Sequence, residues 1–147
     1  MFLVCVLFSV RFNIFPMIDT VNDFYTNGIE YNSRRWNESD TISTLKSIDP
    51  DNEIYSNGWD VISLKTGYKA SSIPNFYSST SLVQNEKYND QISSMCNKVI
   101  QGKAILVYLK QINWRNYLPK EEQLLETCQL PVLYDTEDGT IYGLPEK

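Results

Sequence analysis

Residues 89–111 constrain the fold more than any other stretch. Ile92, Met95, Cys96, Val99 and Ile100 recur at i, i+3, i+4, i+7 and i+8, the spacing of one helical face. Asn89 or Asp90 can cap the free amides at the start, and Gly102 can take the left-handed conformation that ends the helix. Ala104-Ile105-Leu106-Val107-Tyr108-Leu109 follows almost at once. It is too apolar for a surface loop, and its length and β-branched content suit a strand covered on both faces. A helix beside a buried strand implies a sheet with a layered core, so the sequence predicts an α+β domain.

The weaker signals fill in around this unit. Residues 19–36 read as an N-terminal helix capped by Asp19 or Thr20, with Val21, Phe24, Tyr25 and Ile29 on one side and Gly28 weakening the middle. Residues 41–48 are rich in Thr, Ser and Ile and read as a strand. Asp49-Pro50-Asp51-Asn52 marks a turn, and residues 53–56 a short strand. Asn57-Gly58 is a hairpin signal, followed by alternation over 59–66 that suits a second strand. Residues 67–75 read as a loop, 76–83 as a Ser-rich strand and 113–122 as a long polar loop. Asp138-Gly139 between apolar runs at 130–134 and 140–144 predicts a terminal hairpin. In this order the helix at 89–101 falls between the third and fourth strands. That is the place it holds in a five-stranded OB-like barrel. A small curved antiparallel sheet with helices on one face explains the same string.

Composition narrows the chemistry. The chain has 147 residues, the size of one domain, with a formal charge of −5 that disfavours generic binding to a phosphate backbone. It contains no histidine. That removes Ser-His-Asp and Cys-His catalysis, His-ligated zinc and the usual acid–base residue near neutral pH. Cys5, Cys96 and Cys128 have no C-x-x-C spacing, so no metal or other cofactor is expected. Asp49, Asp51, Asn52 and Glu53, and likewise Asp135, Glu137 and Asp138, crowd oxygen ligands together but miss the calcium-loop pattern. Glu121, Glu122 and Glu126 are acids without a visible cleft, and a solvated helix start explains them.

Residues 2–10 form an apolar run closed by Arg11. Its length suits a signal core or lipid tether and is too short to span a bilayer. Two other readings stand behind that one: a β-strand, from the alternation Ser9-Val10-Arg11-Phe12-Asn13-Ile14, and an extension ahead of a natural start at Met17. Residues 1–16 are thus a leader, anchor or artefact, and 17–147 a single globular OB-like domain. The protein is exported or membrane-anchored through 2–10, or cytoplasmic if translation starts at Met17. In an oxidising compartment Cys96 and Cys128 can form a disulfide. The composition favours instead reading them as two small buried hydrophobes.

In outline the chain resembles small, uncharacterised bacterial proteins with an N-terminal hydrophobic segment and an OB-like domain. The resemblance rests on the leader, on Tyr31 ahead of the first strand, and on Gly102-Lys103-x-Ile105-x-Val107-Tyr108. It implies no catalytic residue.

Aromatics are the best lead to a function. Tyr55, Trp59, Tyr68, Phe76 and Tyr77 lie on or near the first three expected strands, the surface with which OB barrels stack bases or sugars. The expectation is a non-enzymatic binding module that contacts a protein or a saccharide. The alternative is single-stranded nucleic acid, which would need Lys46, Lys65, Lys69, Lys103 and Lys110 to share one face.

Overall fold

The structure is a computed structural model that describes residues 15–28 and 30–145. The apolar run at 2–10 and Ile29 lie outside the described residues. The chain divides into two compact units, with the boundary between Glu38 and Ser39.

In the first unit, helix α1 (Phe15–Asn27) begins with Pro16 in its first turn, where a missing amide costs nothing. The helix expected over 19–36 stops at Gly28, which sits at φ +77°. A Cβ there would lie 2.7 Å from the carbonyl oxygen of Asn32, so this reversal requires glycine. A single 3₁₀ turn (Glu30–Asn32) and the short helix α2 (Arg34–Asn37) follow. Trp36 is buried, with the Tyr31 ring edge-on at 6.4 Å and the Arg35 guanidinium 5.0 Å over its face.

The second unit is α+β, built on a five-stranded mixed sheet. Its elements are α3 (Asp40–Ile48), β1 (Glu53–Ser56), α4 (Trp59–Thr66), β2 (Ala70–Ser72), α5 (Tyr88–Ile100), β3 (Ala104–Leu109), α6 (Glu121–Thr127), β4 (Val132–Asp135) and β5 (Gly139–Tyr142). Strand order is β2-β1-β3-β5-β4. β1 is parallel to β2 and β3, and β5 is antiparallel to β3 and β4. The sheet therefore ends in two edges, β2 and β4. It is neither the closed OB-like barrel nor the wholly antiparallel sheet that the sequence suggested. α5 precedes the third strand instead of following it, and α6 holds the place between the third and fourth.

β3 is the central strand and is buried on both faces, as its composition requires. Ala104 and Leu106 join Tyr142 in a core with Ile92, Met95 and Val99 of α5 and Leu124 of α6. The alternate residues Ile105, Val107 and Leu109 are equally buried and face away from that cluster. α4 packs on β1 and β2, and α3 on α4 and β5. A disulfide joins Cys96 of α5 to Cys128, the residue after α6, with Cα atoms 5.9 Å apart.

Two expected strands are helices. Over 40–48 the Ser39 hydroxyl accepts the Ile42 amide at 3.2 Å, and Ile42 and Leu45 share the buried face. A good cap and an i, i+3 apolar pair outweigh the β-branched composition. Over 59–66 the alternation was misleading because β1 is parallel to its neighbours and cannot turn back in a hairpin. The Asn57 side chain takes over instead. Its amide donates to the Leu109 carbonyl at 2.9 Å, and its oxygen accepts the Leu109 amide at 2.8 Å, so it supplies the next rung of the ladder while the backbone leaves for α4. Residues 70–72, read as loop, pair with β1, whereas the expected strand at 76–83 is a turn with one bridge, Tyr77 to Gln84. The terminal hairpin at Asp138-Gly139 forms where expected.

Candidate binding site

The connections after β1 and β3 diverge. From β1 the chain passes through α4 to β2 on one side, and from β3 it continues to β5 and β4 on the other. At such a switch point the carboxyl ends of parallel strands splay their loops apart and leave a crevice. One is present here, with a volume of about 380 Å³. Asn57 and Tyr108 line it from the strand ends, Asn113 and Asn116 from the following loop, and Glu121 and Glu122 from the first turn of α6.

The loop that walls this crevice is anchored by Arg115. Its guanidinium donates to the Asn57 carbonyl at 3.0 Å and to Asp60 at 2.6 Å, and lies 4.4 Å over the Trp59 ring. The Arg115 side chain is 8% exposed against 31% for Asp60, and its planar fork holds the loop against the start of α4. Lys110 also borders the crevice but is held by Asp135 at 3.1 Å and by the Thr136 carbonyl at 2.8 Å.

Glu121, which lines the crevice, accepts the phenol of Tyr142, a residue of the core behind it, at 2.8 Å. Burial and then the Glu121 carboxylate push the Tyr142 pKa far up, so it stays a donor. Burial, followed by the charge of Glu121, also raises Tyr108. With Arg115 and Lys110 already partnered, the crevice offers amides, a neutral phenol, the Glu121 and Glu122 carboxylates and the Lys120 ammonium.

The five sequence-predicted aromatics do not converge. Tyr55 is the only one in a strand, and its hydroxyl receives Lys98 at 3.1 Å beside Glu53. Trp59 underlies Arg115. Tyr68 follows α4 and donates to Asp49 at 2.6 Å. Phe76 and Tyr77 alone share a surface, a shallow pocket in which Phe76 stacks on Tyr88 with centroids 4.6 Å apart. Of the five lysines, Lys103 and Lys110 bracket β3, roughly 23 Å apart by strand rise. Of the acids, Glu121 and Glu122 reach the crevice and Glu126 does not line it. Asp135 and Asp138 are engaged by Lys110 and by Ser39 and Thr41 respectively. Among the described residues no three His, Cys, Asp or Glu side chains gather as a metal cluster, and no helix is long and apolar enough to cross a membrane.

Sequence reading missed Asn57, Tyr108, Asn113, Arg115 and Asn116. The available signal was Asn113-Trp114-Arg115-Asn116-Tyr117, an amide- and aromatic-rich loop directly after the most apolar strand. No protein family, curated protein or solved structure matches the chain.

Proposed function

We propose that the chain is a binding module that recognises a saccharide in the crevice at the carboxyl ends of β1 and β3. The observation that carries this reading is the lining itself. Asn113 and Asn116 offer donors and acceptors together, Tyr108 a neutral phenol, and Glu121 and Glu122 acceptors. Sugar hydroxyls are likewise donors and acceptors, so such a lining matches them without selecting a charge. Of the three cations in the lining, Arg115 and Lys110 are tied to Asp60 and Asp135, and Lys120 stands next to the Glu121 and Glu122 carboxylates, so the crevice has no net positive charge to select an anion. The volume suits a small ligand rather than a polymer.

Calorimetry of the full chain against a panel of mono- and oligosaccharides tests this. One class should bind, and Asn113→Ala and Tyr108→Phe should each weaken it by about three- to thirty-fold, the range for one lost hydrogen bond. Equal affinity in both variants places the ligand elsewhere. Hydrolytic turnover of the sugar would replace a binding role with an enzymatic one.

A further inference from the structure

Helix α1 presents an apolar face to solvent. Met17, Ile18, Val21 and Phe24 are 67, 49, 54 and 46% exposed. At 100° per residue they fall within an arc of roughly 120°, the stripe an amphipathic helix normally buries. Asp19, Asn22, Asp23 and Thr26 occupy the other side. A helix of 13 residues has no reason to segregate its side chains this way unless something apolar covers the stripe.

The chain ahead of it says what that is. The apolar run at 2–10 ends five positions before Phe15, and five residues fully extended reach at most about 18 Å. If the run enters lipid, α1 is held at the lipid surface. We propose that α1 lies in the plane of a membrane interface, its Met17–Ile18–Val21–Phe24 stripe dipping among the acyl chains, as the second of two anchoring signals with residues 2–10. A second apolar contact adds its buried area to that of the first, as paired lipid anchors do. The polar face of α1 carries two acids and no base, so apolar burial drives the contact and anionic lipid adds nothing.

The test is co-sedimentation of the full chain with phosphatidylcholine vesicles. A Val21→Asp/Phe24→Asp variant should partition about tenfold more weakly. Met17→Ser/Ile18→Ser, on the same face and gentler to the helix, should lose several-fold, and Asp19→Asn/Asp23→Asn should not lose affinity. Adding phosphatidylglycerol should not strengthen wild-type binding. Partitioning unchanged in both apolar-face variants overturns the proposal, as does a wild type that fails to sediment with vesicles. Binding that rises several-fold with phosphatidylglycerol and vanishes in salt also overturns it, because basic residues would then carry the contact. A lipid-free dimer lost in the apolar-face variants assigns the stripe to a second copy of the chain instead.

Discussion

At the scale of single residues, two polar side chains hold the second unit together where the backbone alone would not. Asn57 is 2% exposed and satisfies both backbone groups of Leu109. Asn57→Ala strands two buried groups and is expected to cost about 2–4 kcal/mol, read as a lower urea midpoint with unchanged slope. Asp138 receives the Ser39 hydroxyl, the Thr41 amide at 3.0 Å and the Thr41 hydroxyl at 2.7 Å, and so ties the start of α3 to the terminal turn. Burial alone would raise its pKa, but these hydrogen bonds and one from Thr136 outweigh it and hold the carboxyl below its ordinary 3.8. A lowered folded pKa means that the stabilisation is present above the unfolded value and is lost as pH falls through the folded one. Unfolding midpoints should therefore drop below pH 3.8, and Asp138→Asn should be less stable near neutrality and flatter in that acid limb. Neither role was legible in sequence. Asn57-Gly58 and Asp138-Gly139 have the same hairpin signature, and only the parallel neighbours of β1 make the first a departure into α4.

At the scale of elements, the disulfide clamps α5 to the end of α6. It closes a loop with a sequence separation of 32. Cys128→Ala is expected to lower stability by about 3–4 kcal/mol, measured by thermal or denaturant unfolding against wild type with and without reductant. Reductant should destabilise the wild type and leave the variant unmoved. Gly139 sets a second close approach, since a Cβ there would lie 2.6 Å from the Tyr108 carbonyl oxygen, and backbone cannot move aside as a side-chain end can. The elements legible in sequence were α5, β3 and the β4–β5 hairpin, whose apolar spacing is decided by burial on the core, and β1, set off by the Asp49–Asn52 turn before it. α3 and α4 were hidden by β-branched residues that favour strands locally, and only a cap at Ser39 and packing on the sheet select the helix. α6 was lost in a stretch whose single buried apolar residue within the helix, Leu124, makes no periodic stripe.

At the scale of the whole molecule, the α+β class followed from one segment, but the topology did not. An open sheet and a barrel share the same string of elements, and strand order depends on pairings far apart in sequence. The candidate site moved with the topology. Aromatics chosen for the face of a barrel scatter once the sheet is open, while the carboxyl ends of β1 and β3 gather Asn113, Asn116, Tyr108 and Glu121 around one crevice. Arg115 positions the loop that carries the two asparagines, so Arg115→Lys, which keeps the charge and loses the planar fork, is expected to weaken ligand binding about tenfold while changing stability less. The most direct test is an NMR titration of the uniformly ¹⁵N-labelled full chain with the tightest-binding saccharide. The side-chain amides of Asn113 and Asn116 should shift together, saturating at one affinity, while the backbone around Phe76 and Tyr77 stays still. Shifts confined to Phe76 and Tyr77, or no shift at Asn113 and Asn116 at saturating sugar, would contradict the assignment of the crevice.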